Sequence, residues 1–212
     1  MCLQVDKMTG FILGVIIMDC LIIPIVLGQY YPGYNHGTMV LSVLGGKESP
    51  VRWIYNFWII CLGVVFIGIS ISLFQGYKET SYVGALLLVI VTMSYALFDC
   101  FVSGVFSIGS SKEMVTLGEK IHGYGSAIGC TLFLFAGLLG TFLLWKNHVG
   151  AAVFLLCCFI LAFITFGIFV MGEDITTAKN SWEKIISQTG LWQRISFFLM
   201  YTPYVILSIY KK

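Results

Sequence analysis

The sequence predicts an all-α fold, a polytopic membrane protein with six transmembrane helices in one bundle. Three observations carry that prediction. Of the 212 residues 58% are hydrophobic and only 10% charged, where an ordinary soluble domain has about 25% charged residues. Mean hydropathy is +0.94. The apolar residues also fall into six runs of about 20 with few charges, the length at which an α-helix crosses the hydrocarbon core. Polar residues are too few to keep such a core soluble. The whole chain, 1–212, reads as one domain. A formal charge of +2 is too small for a nucleic-acid partner, and membrane lipid is the expected surrounding.

The first span runs from about Thr9 to Gln29, interrupted by Asp19, with Pro24 as an expected kink. Its short charged start resembles a signal peptide. The apolar run is too long for one, however, and no small-residue cleavage site closes it. Residues 30–52 form a long polar connection whose two prolines and four glycines mark turns. Three tyrosines at its start suit a headgroup-level anchor. The second span covers about Trp53 to Gln75, with Asn56 one turn in. The third covers about Ser81 to Ser107 and contains Asp99. A polar loop with Lys112, Glu113, Glu119 and Lys120 follows, and His122 opens the fourth span, which ends near Trp145. Only Lys146, Asn147 and His148 separate it from the fifth, Val149 to Met171, so these two are antiparallel neighbours. Within 172–190, the stretch Thr177–Gln188 suits a short interfacial helix. The sixth span starts near Leu191, holds Arg194 in its first turn, and is expected to bend at Pro203.

Six spans put both termini on one side. That side carries Lys7, Lys78, Lys146, Lys211 and Lys212 in 18 residues of connection. The other side spreads its cations over loops about three times longer, so cation density near the span ends favours cytoplasmic termini. A plasma-membrane location is expected. Two small-residue patterns, Gly10-xxx-Gly14 and Gly125-xxx-Gly129, suit close helix contacts.

The stretch Ser94–Gly129 concentrates the chemistry. An acid inside lipid costs several kcal/mol unless it faces protein, water or a partner, so Asp99 and Asp19 are candidate functional groups. At about 1.5 Å rise per residue, Asp19 lies roughly 15 Å below the outer end of its span and Asp99 roughly 12 Å. Thr131 and the Tyr201-Thr202 pair reach a similar depth; Asn56 lies higher. Arg52, His122 and Arg194 ring the outer mouth. These residues imply an outward-facing polar pocket with Asp19 and Asp99 at its floor and Arg52, Arg194, His122 and Asn56 around it. The blander alternative is that each acid only hydrogen-bonds a neighbouring helix.

Three histidines, one on the opposite side, do not supply the three or four convergent ligands of a metal site, and no cofactor is implied. No serine-nucleophile elbow, phosphate-binding glycine loop or zinc-protease motif occurs. Six of the seven cysteines lie inside apolar runs, where free cysteine packs as a small hydrophobe.

The loop Tyr31-Pro-Gly-Tyr34, Ser42-Val-Leu-Gly45, Pro50 before Asn56, Gly104-Val-Phe106, His122, and Gly190-Leu-Trp-Gln-Arg194 occur in an order that resembles the domain of unknown function 998 family. Where a Pro and an Asp would follow the third span, this chain has Ser107-Ile-Gly-Ser110. The resemblance implies six-span integral membrane proteins without an assigned activity.

The leading expectation is a pocket that binds a small molecule or lipid headgroup and moves it or protons. Two alternatives stand beside it. One is a membrane-embedded enzyme acting on a lipid-like substrate with Asp99 and His122 as acid and base. The other is a non-catalytic subunit or sensor.

Overall fold

The structure, a computed structural model, describes residues 7–109, 114–175 and 177–211. Lys112, Glu113, Ser110 and Lys212 lie outside the described residues. All regular structure among them is helical: α1 (Lys7–Gln29), α2 (Arg52–Tyr77), α3 (Tyr82–Val105), α4 (Leu117–Leu144), α5 (Val149–Glu173), the short α6 (Ser181–Ile186) and α7 (Thr189–Tyr210). The first five are long and apolar enough to cross a membrane. The sixth long helix, α7, has 22 residues, about 33 Å at the α-helical rise. It is more polar because it carries Gln193, Arg194 and a run of hydroxyl residues toward its neighbours. The short helix expected near Thr177–Gln188 is α6.

Helix ends follow local chemistry. Ser81 caps α3 through its side chain on the Gly84 N–H. α4 starts five residues before the expected His122, because Thr116 and Glu119 form a reciprocal capping box. The Thr-x-x-Glu spacing that announces such a start was present in the sequence. Glu119 therefore belongs to the first helical turn and not to a loop. α3 stops at Val105, two residues early, where Phe106 turns extended.

α1 and α3 are not uniform. Each contains a π-helical turn, Met18–Ile22 in α1 and Tyr95–Phe101 in α3. Asp19 and Asp99 sit in these wide turns, each followed by a cysteine. In α1, Pro24 follows directly and lacks the N–H that an ordinary turn would use. π-turns inside α-helices concentrate at functional sites.

The core is aromatic. Phe66 of α2, Tyr95 of α3, Phe133 of α4 and Tyr201 and Tyr204 of α7 are almost fully buried. Tyr95 stacks on Phe133 at 4.0 Å and Phe66 on Tyr201 at 5.2 Å between ring centroids. The Gly125-xxx-Gly129 pattern is a true close contact, with both glycines against the wide turn of α3 or the residues beside it. Gly10 and Gly14 meet no atom within 4 Å, so that pattern marks an open helix face instead. Four of the described cysteines are buried, Cys61 is half-buried, and Cys157 is exposed on α5.

Residues 30–51 are not a free loop. They fold over one end of the bundle, the end where α1 stops and α2 starts, as a cap containing one short 3-10 helix, Leu41–Gly45. Arg194 holds the cap from α7. Its Nη1 donates to the carbonyls of His36 at 2.9 Å, Met39 at 3.2 Å and Gly190 at 2.7 Å. Its Nη2 donates to the Tyr34 hydroxyl at 2.7 Å and to His36 Nδ1 at 3.4 Å. His36 must accept there, and burial first and the Arg194 charge second pull its pKa below the usual histidine value. On the opposite edge Lys47 pairs with Glu119 at 2.7 Å.

Candidate functional site

Beneath the cap lies a small, partly open chamber of about 30 Å³, with polar groups set among apolar ones. A water needs roughly 10–15 Å³ measured in this way, so about two fit. Asp99, His122, Asn56, Tyr55, Ser103 and Gln193 all reach its wall. Three of the six expected site residues, Asp99, His122 and Asn56, are thus brought together from three different helices.

Asp99 projects from the wide turn of α3 and, among the described residues, is the only carboxylate on the wall, with no lysine or arginine beside it. The Ser126 hydroxyl of α4 donates to Asp99 Oδ1, and the Cys130 thiol also reaches the carboxyl. The small size of Gly125 and Gly129 lets α4 approach closely enough for this. Among the described residues Asp99 has no ion pair. His122, only 5% exposed, donates from Nδ1 to the Phe106 carbonyl at 2.6 Å at the frayed end of α3. That bond fixes the proton on Nδ1 of the neutral ring.

Asn56 donates to Ser107 Oγ at 3.1 Å. Gln193 accepts the Leu41 N–H of the cap at 2.7 Å on Oε1, which couples the cap to the chamber wall. One hydroxyl is left over. Ser103 Oγ is buried without a hydrogen-bond partner among the described residues. Buried polar groups are otherwise nearly always paired.

The remaining three expected residues are elsewhere. Arg52 donates from Nε to Ser107 Oγ at 2.9 Å and lies over the Trp53 ring at 4.8 Å, just outside the wall. Arg194 is fully engaged with the cap. Asp19, 4% exposed, is closed off in the aromatic core. It accepts from Trp58 Nε1 at 2.8 Å on one oxygen and from the Tyr201 hydroxyl at 2.8 Å on the other. Tyr201 in turn meets the Tyr95 hydroxyl at 2.5 Å. Of the residues expected at that depth, Tyr201 arrives, Thr131 is exposed, and the Thr202 hydroxyl turns back onto the Phe198 carbonyl.

Asp19 therefore behaves as an internal cross-link of three helices. Asp19→Leu should leave the half-buried Trp58 N–H unpaired and reduce Tyr201 to its Tyr95 partner, at a cost of about 1–3 kcal/mol. Thermal unfolding in detergent checks this, and an unchanged Tm would remove the cross-linking role.

Sequence reading missed Tyr55, Ser103 and Gln193. Ser103 lies one helical turn beyond Asp99, a spacing that puts both on one helix face. Nothing local marked Tyr55 or Gln193, whose position depends on how the cap folds.

Residues 13–210 match the family described as protein of unknown function (DUF998), and the chain belongs to that family. No curated protein and no solved structure matches the chain.

Proposed function

We propose that this family member is an integral membrane protein of the carrier type, with a chamber in the outer half of the bundle that receives a small polar solute when the cap 30–51 lifts. Asp99 is the group that holds the solute. The observation that carries this reading is the position of Asp99: an acid with no ion pair among the described residues, on a wide helical turn, facing a small chamber with polar groups on its wall. Such π-turns recur at functional sites.

The cap supplies the gate. Room for about two waters is too little for a lipid headgroup or metabolite, so such a ligand requires the cap to move. The asymmetry of the cations supports an outward chamber, cytoplasmic termini and residence in the plasma membrane. Asp99 and His122 share one wall, as an acid–base pair would need, but the Nδ1 proton of His122 is committed to the Phe106 carbonyl.

Native mass spectrometry of gently purified protein tests the proposal. Wild type should retain a bound metabolite or lipid, and Asp99→Asn should lose at least nine-tenths of it while staying folded. A bare wild type, or equal retention by Asp99→Asn, would sink the reading.

A further inference from the structure

We propose that the chamber beneath the cap is a binding site for one small monovalent cation of about the size of sodium, with the Asp99 carboxylate as its charge partner. The inference rests on the chamber reading above and names what the chamber holds with the cap in place.

Charge balance comes first. Among the described residues Asp99 is the single carboxylate on the wall, and no lysine or arginine lines it. The two arginines nearest the mouth are both engaged, Arg52 with Ser107 and Arg194 with the cap. A carboxylate held largely out of water is stabilised by a neutralising partner. One negative charge is matched by one positive charge, which favours a monovalent over a divalent ion.

Donor chemistry comes second. Hard cations take oxygen ligands. Besides Asp99, the wall offers one buried oxygen with nothing to bind among the described residues, Ser103 Oγ. Leaving it unpaired is costly. A cation beside Asp99 would accept a lone pair from it.

Size comes third. About 30 Å³ has room for about two waters, or for one sodium-sized ion and one water. Asp99 also sits in a π-turn, a feature that recurs at functional sites.

The test is thermal unfolding of the purified protein at fixed pH and ionic strength, with sodium chloride exchanged for potassium or choline chloride. A ligand that binds only the folded state raises Tm in a saturable manner. At saturating sodium, a rise of about 5–10 °C over choline is expected for a chain of this length. Potassium should give less than half of it. Asp99→Asn should abolish the sodium effect, and Ser103→Ala should shift the sodium midpoint upward at least threefold.

Equal Tm in all three salts for wild type would overturn the proposal, whatever the variants do. So would a sodium effect that persists unchanged in Asp99→Asn, or a wild type that responds to pH alone, which would mean a proton-only site. If sodium has no effect but Asp99→Asn still loses a copurifying solute, the chamber stands and the cation falls. If neither is seen, both fall.

Discussion

Gly129→Leu is expected to destabilise the protein by about 3 kcal/mol, whereas Gly14→Leu is expected to leave its stability unchanged or slightly raised. The two glycines belong to the same kind of motif, so sequence alone gives them equal standing. Their surroundings differ. A Cβ on Gly129 would lie 2.8 Å from the Asp99 backbone nitrogen and 3.0 Å from its Cβ. Neither atom can swing aside, because one is backbone and the other is fixed by it. α3 and α4 would have to separate, and Ser126 would lose its grip on Asp99. At Gly14 no atom lies within 4 Å, and leucine is the better helix former by several tenths of a kcal/mol. Thermal denaturation of both variants in one detergent checks the contrast. Similar losses at both sites would contradict the helix contact assigned to Gly129.

Arg194→Ala is expected to cost about 3 kcal/mol and to free the cap. One guanidinium serves three carbonyls, a phenol and an imidazole. Hydrogen bonds to a charged donor contribute roughly 1.5–3 kcal/mol each, and the loss is not additive. Arg194→Lys should recover only part of the effect, since an ammonium lacks the planar fork that reaches partners on both sides. Limited proteolysis of the detergent-solubilised protein should cut within 30–40 in Arg194→Ala much faster than in wild type. Unchanged cleavage would mean that the remaining ties, among them Lys47–Glu119, Leu41–Gln193 and Thr189 to the Thr38 carbonyl, hold the cap without Arg194.

Much of the fold was legible because lipid imposes a simple length rule. Each of the six expected spans matches a helix to within a few residues, and the largest offset, at the start of α4, came from overlooking the Thr116/Glu119 capping spacing. The union of Asp99 with His122 was legible in part, since a short connection forces α3 and α4 to be neighbours. The fate of Asp19 was not. Its partners Trp58 and Tyr201 lie 39 and 182 residues away, and no local pattern reports a pairing across that separation. The same holds for Arg194, which sequence reading set at the rim of a pocket and which the fold uses as the rivet of the cap. A charged residue near a span end looks identical in both roles until the facing segment is placed.

The wide turns were also written in the chain, in the spacing of buried positions. In α3, Gly84, Leu88, Thr92, Ala96 and Cys100 are buried at constant intervals of four, and Gly104 continues the series in close contact with Ile60 and the Asn56 carbonyl. An ideal α-helix turns 100° per residue, so a strict four-residue stripe would drift by about 40° at each step and leave the interface. The π-turn between Tyr95 and Phe101 holds one residue more than an even spiral and so takes up about 100° of the roughly 200° that five such steps accumulate. The heading of Asp99 depends on that extra residue. Residue count is therefore as much a part of this site as residue identity. A single deletion anywhere in Tyr95–Phe101 would swing the outer end of α3 by about 100°, carrying Ser103 off the chamber and Gly104 away from α2. In aligning relatives, a one-residue gap at this point would signify a differently aimed carboxylate and not a neutral change in length.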